Sequence, residues 1–129
     1  MRPTINQTVI FTYTDDLTAA SEFFRETMEL DFVVDQGHCH IFRLNEKSFL
    51  GVCDLPGRPT ENAAVTITIV SDDVEGWHRF LTSKGVKYVK EPSHSQKFNV
   101  YSSLFISPHG YRIEIQKFDD SRWCNRTIK

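Results

Sequence analysis

Ser107-Pro108-His109-Gly110-Tyr111-Arg112-Ile113-Glu114 decides how the rest of the chain is read. A four-residue break holding Pro and Gly between two apolar, β-branched runs predicts a tight hairpin turn, with residues 100–106 and 111–117 as its strands. His109 at the tip is expected to be an exposed turn residue. Working back from the hairpin, Glu91-Pro92-Ser93-His94-Ser95 reads as a loop and residues 86–89 as the start of a strand. Gly85 ends a helix in the position of a left-handed C-cap. The helix's apolar stripe is Val74, Trp77, Phe80 and Leu81, and residues 72–75 supply a capping box. In the strand before it, Val65, Ile67 and Ile69 alternate with Thr66 and Thr68.

The N-terminal half repeats this order with little residue identity. Residues 8–13 alternate as a strand, and Asp15 and Asp16 then offer capping carboxylates. Leu17, Ala20, Phe24 and Met28 recur at helical spacing, while Ser21, Glu22, Arg25 and Glu29 fall largely on the other side. Strands over residues 32–35, 39–44 and 49–53 follow, separated by Gln36-Gly37 and Asn45-Glu46-Lys47. Residues 55–62, rich in turn formers and without an apolar period, link the halves.

The chain has 129 residues, 40% hydrophobic and 25% charged, which predicts a single domain able to bury a core. Module one spans about 5–55, module two about 63–118, and a tail covers 119–129. Fifteen Lys and Arg against 17 Asp and Glu leave a formal charge of −2, no footprint for binding a polyanion, so no nucleic-acid partner is expected. No apolar run approaches the roughly 20 residues that cross a bilayer, and the first seven residues lack a signal peptide's basic and apolar regions. Cys39, Cys53 and Cys124 match neither a CxxC pair nor an even disulfide framework, so they read as reduced thiols. No membrane partner and a cytoplasmic location are the expectation. The Asn6 and Asn125 sequons then carry no meaning.

Three stretches resemble the vicinal oxygen chelate superfamily, the glyoxalase, bleomycin-resistance and extradiol-dioxygenase group. Asp16-Leu17-x-x-Ala20-x-x-Phe23-Phe24-x-x-x-Met28-x-Leu30 is similar to the family's first helix, with Glu29 where a glycine is usual. Gly85-Val86 followed by Glu91-Pro92 is similar to the exit from its second helix. The opening stretch resembles the family's Asp-Pro-Asp-Gly-x-x-Ile-Glu hairpin and last strand. The resemblance implies an α+β fold of two βαβββ modules, a curled eight-stranded mixed sheet forming an open cup with the helices outside and the ligand within.

Metal-dependent members use four positions, one on the first and one on the last strand of each module, normally His, Gln or Glu. Of these, Glu114 matches. The first-strand positions fall on Thr8 and Thr66, or on Val9 and Val65 with a one-residue slip, and Gly51 stands opposite the glutamate in module one. Gln7 is the only nearby donor, and one carboxylate cannot hold a catalytic divalent ion. Glu114 is then a structural or ligand-binding carboxylate, with Arg112 as a candidate partner. His38 and His40, at i and i+2, are the alternative metal pair, against the plainer reading of hydrogen-bonding histidines.

Alternation chooses the cup lining. If Val9, Phe11 and Tyr13 pack under the first helix, then Thr8, Ile10 and Thr12 face inward, as do Thr66 and Thr68 in module two. Arg112, Glu114 and Gln116 complete that face, with His40, Phe42 and Tyr101 as further candidates. Such a lining suits a small polar or partly aromatic molecule. The expectation is a small-molecule-binding protein of bleomycin-resistance type without a catalytic metal or other cofactor. The alternative is a lactoylglutathione lyase-like or dioxygenase-type enzyme using a divalent ion at Glu114. The resemblance also implies a homodimer, and the tail, with Phe118, Trp123 and Ile128, is expected to dock against something.

Overall fold

The structure is a computed structural model and describes residues 1–3, 5–58 and 65–121. Its elements follow the repeated order: β1 (Thr8–Tyr13), α1 (Leu17–Glu22), β2 (Asp31–Asp35), β3 (Cys39–Asn45), β4 (Ser48–Cys53), β5 (Thr66–Val70), α2 (Val74–Ser83), β6 (Tyr88–Ser95), β7 (Val100–Ile106) and β8 (Arg112–Phe118). The strands form two four-stranded mixed sheets, ordered β1-β4-β3-β2 and β5-β8-β7-β6, each closed by one parallel pair. This is the α+β arrangement of two βαβββ modules. The chain divides into two compact units, the first holding 1–62 with Pro108–Gly110 and the second the remainder. The expected docking of Trp123 and Ile128, and Cys124 with them, lie outside the described residues.

In the first unit, Asp16 caps α1 by accepting from Ala19 N at 3.0 Å. The helix then widens into a π-helical segment, Phe23–Thr27, where Met28 N bonds back to Phe23 O rather than one residue later. That wider turn places Phe24 and Met28 fully under cover with Ala20. Ser21, expected on the outer side, is buried as well. The segment exits through Glu29 at φ 54°, the left-handed conformation that a glycine would adopt without strain.

In the second unit the capping residue is Asp73, which accepts from Gly76 N at 2.9 Å. Glu75 instead accepts the Tyr101 hydroxyl proton, so the reciprocal arm of a capping box is absent. α2 buries Val74 and Leu81, with His78 between them packed on Tyr88 at 4.7 Å and Trp77 and Phe80 only half-buried. Gly85 at φ 91° closes it, and Val86 N bonds Leu81 O, a Schellman ending. The expected loop over residues 91–95 is strand: β6 runs on to Ser95 through register shifts on either side of Lys90. Pro92 is tolerated because β6 is an edge strand, where a missing backbone donor breaks no ladder bond to an outer neighbour.

The cysteine expectation is overturned. Cys39 and Cys53 sit directly opposite each other on β3 and β4, Cα atoms 4.1 Å apart, and are joined as a disulfide. An odd count of cysteines hid a cross-strand pair that only sheet register brings together. The thiol argument for a cytoplasmic location falls with it.

Candidate functional site

Side chains paired across neighbouring strands share a face, so the register sorts every candidate. In the first sheet Thr12, Val52 and His40 are matched, as are Leu50, Ile10 and Phe42. Phe42 packs on Phe24, with ring centroids 5.9 Å apart, so this whole set faces α1. The expected alternation is therefore reversed in module one. Thr8, Ile10, Thr12, His40 and Phe42 belong to the helix face, and Val9, Phe11 and Tyr13 to the other. Strand alternation alone gives two equivalent faces. The choice depended on which one the helix covers, and Val9, Ile10 and Phe11 are all substantially exposed.

Thr12 is fully buried, and its hydroxyl donates to Gly51 O at 2.9 Å. Its oxygen accepts from His109 Nε2, also at 2.9 Å. Because the Thr12 proton is already committed, His109 is the donor and holds its proton on Nε2. His109 is thus no exposed turn residue: it is 7% exposed, edge-on to Phe24 at 5.4 Å, and burial pushes its pKa down to about 4. It is held neutral within the first unit.

The two other candidate histidines do not converge. His40 engages both ring nitrogens, Nδ1 with Ser21 Oγ at 2.7 Å and Nε2 with Asp35 at 3.4 Å, which fastens α1 to the sheet. His38 pairs with Asp54 at 2.9 Å. Each ring thus faces a different set of protein partners, so the two do not act as a pair. Among the described residues no group of three or more His, Cys, Asp or Glu side chains is placed to hold an ion.

In the second sheet Thr66, Arg112 and Ile106 form one cross-strand row, and Thr68, Glu114, Leu104 and Lys90 the next. Gln116 and Ser102 are matched in the row after. The helix face carries Ile113, Ile115 and Phe105, with Tyr88 packed against Phe105 at 5.3 Å. Thr66, Thr68, Arg112, Glu114 and Gln116 consequently share the face turned away from α2. Tyr101 does not join them. It lies beside Lys117 on the helix face and donates to Glu75, a bond that holds its pKa above the usual tyrosine value.

A cavity of about 500 Å³ opens on the face away from α2. β8 supplies Glu114, Gln116 and Phe118; β7 supplies Val100 and Ser102; β6 supplies Lys90 and Ser95; Phe98 comes from the turn between β6 and β7. Thr68 Oγ1 donates to Glu114 Oε1 at 3.1 Å, and Lys90 Nζ donates to Ser102 Oγ at 2.9 Å. No ion pair joins Glu114 to Arg112 or to Lys90 among the described residues. Lys90, Ser95, Phe98, Val100, Ser102 and Phe118 were missed in the sequence reading. An i, i+2 walk along β8 would have reached Phe118, whereas the residues of β6 depend on its irregular register.

A divalent ion at the family positions does not fit this donor set. Glu114 is matched by Thr68 on its first strand, and Gly51 by Phe11. A Cβ on Gly51 would lie 2.5 Å from the Phe11 ring, so an aromatic side chain fills the space where a carboxylate would stand. Of the expected first-strand places, those on the faces away from the helices are Val9 and Thr66, so with Gly51 and Glu114 the four supply one carboxylate, one hydroxyl, one isopropyl group and no side chain.

The sequence matches the family model "Glyoxalase/Bleomycin resistance protein/Dioxygenase superfamily" over residues 4–115, and the chain belongs to that superfamily. No curated protein matches the sequence. Among solved structures, it is similar to a glyoxalase/bleomycin resistance protein/dioxygenase from Nocardioides, at 17% identity and a TM-score of 0.77, covering 100% of this chain and 91% of that one. A lactoylglutathione lyase from Agrobacterium tumefaciens gives 19% identity and a TM-score of 0.72, covering 95% and 100%. An antibiotic binding protein from Streptomyces sp. CB03234 gives 21% identity and a TM-score of 0.74, covering 91% and 98%. At these identities the likeness is one of fold.

Proposed function

We propose that the protein binds a small organic molecule in the cavity beside Glu114, without a catalytic metal or other cofactor. The observation that carries this reading is the lining itself. Glu114, Gln116, Ser102 and Lys90 supply oriented polar groups, while Phe98, Val100 and Phe118 supply apolar surface, the mixture that a ligand site of this volume uses. The fold shared with an antibiotic binding protein supports it. The enzymatic alternative, lyase or dioxygenase chemistry through an ion at Glu114, lacks the donors that would hold the ion. A homodimer with no nucleic-acid partner completes the reading. Among the described residues no helix is long and apolar enough to cross a membrane.

The test is thermal denaturation of protein purified without chelators, against a panel of aromatic natural products and, separately, zinc, nickel, manganese and ferrous salts. The reading expects organic ligands to raise Tm in the presence of EDTA and metal salts to leave it unchanged. Stabilisation by a metal salt, reversed by EDTA and lost in Glu114→Gln, would overturn it.

A further inference from the structure

Two opposite charges line the same cavity, and no ion pair joins them among the described residues. Lys90 and Glu114 occupy one cross-strand row with Leu104 between them, so their backbones stand two strand spacings, roughly 10 Å, apart. Lys90 extends over β7 to reach Ser102, which brings its ammonium to within about one spacing of β8. Each charge is held by a neutral hydroxyl, Ser102 for Lys90 and Thr68 for Glu114. Those bonds orient the two groups and leave donor capacity on the ammonium and acceptor capacity on the carboxylate. Gln116 lies close to the gap, 7% exposed and matched to Ser102.

The rings are set at the other end of the cavity. Phe118 is matched to Val100, and Val100 to Ser95, two residues along each strand from the Gln116 row. Phe98, 66% exposed, adds a second ring from the turn. The Lys90–Glu114 pair at one end and two rings at the other, with the Lys97 ammonium 5.3 Å from the Phe98 centroid, define the shape of the complement.

From this arrangement, and resting on the ligand-binding reading above, we propose that the cavity takes a zwitterionic molecule with an aromatic body. Its ammonium meets Glu114, its carboxylate meets Lys90, and its ring lies against Phe98 and Phe118. Matched charges at the close end of an α-amino-acid head meet both groups at once, whereas an amine or an acid alone leaves one of them without an opposite charge. The selectivity is therefore for the pair.

The experiment uses three probes that share one ring: L-tryptophan, tryptamine and indole-3-propionate. Each is titrated calorimetrically into the wild type, Glu114→Gln and Lys90→Gln, with melting curves to show that the variants fold. L-tryptophan is expected to bind about tenfold or more tightly than either half-probe, the ratio that one charge-assisted contact supplies. Glu114→Gln should abolish its advantage over indole-3-propionate, and Lys90→Gln its advantage over tryptamine. Equal binding of the three probes, or losses that do not follow the charge removed, would overturn the proposal. So would failure of all three while metal-independent stabilisation by other organic ligands persists, and in that case the broader reading stands. Absence of any organic ligand would remove both.

Discussion

Thr12 and His109, 97 positions apart in the chain, are joined by a 2.9 Å hydrogen bond that fixes the histidine as a neutral donor. The bond continues from the Thr12 hydroxyl to Gly51 O, so one buried relay ties the turn Pro108–Gly110 to β1 and β4. It also makes that turn part of the first unit's interior, although the strand it introduces carries Glu114.

Acid should weaken the fold through His109. Its pKa is lowered from 6.5 to about 4, so between those values the unfolded chain binds a proton that the folded chain refuses. Stability from this group is complete above pH 6.5, declines as pH falls towards 4, and is lower by up to about 3 kcal/mol below that. Denaturant unfolding across this window should show the slope, and His109→Gln should flatten it. An unchanged slope in the variant would assign the acid sensitivity elsewhere.

Thr12→Val keeps the shape but leaves Gly51 O and the His109 N–H without their shared partner. A cost of about 2–3 kcal/mol is expected in urea unfolding, with Thr12→Ser restoring most of it. Equal stability of the Val variant and the wild type would mean that the relay contributes nothing net.

The Cys39–Cys53 bond closes a loop of 14 positions, for which chain entropy suggests about 3 kcal/mol. Reduction, or Cys39→Ser with Cys53→Ser, should lower stability by about that amount. Intact mass of the unreduced protein should be lighter than the reduced form by two hydrogens. Identical masses would show free thiols.

Asp73→Ala removes the side chain that satisfies Gly76 N at the start of α2. The expected loss is about 1 kcal/mol, read from thermal melts, with Asp73→Ser recovering part of it. Because Asp73 is not among the residues lining the cavity, ligand binding should not change.

Much of the fold was legible because its signals are local. Pro108 and Gly110 marked the hairpin, Gly85 the helix end, and repeated alternation the strands. What escaped was set by tertiary register. Cys39 and Cys53 needed the β3–β4 pairing, and the burial of His109 needed a hydrogen bond spanning most of the chain. The face of β1 was inverted because its apolar residues were expected under the helix and its threonines in the cup, whereas Thr12 satisfies its hydroxyl inside the core. Of the cavity, β8 was readable from alternation through Glu114 and Gln116. Lys90 was not, since register shifts on either side of it break the period.

The central claim is that Glu114 serves a metal-free ligand site, and native mass spectrometry of the protein purified without chelators tests it most directly. The account predicts a wild-type chain that carries an organic adduct and no stoichiometric metal, with adduct occupancy falling in Glu114→Gln while the charge-state envelope stays that of a folded protein. One transition-metal ion per wild-type chain, absent from Glu114→Gln, would contradict it.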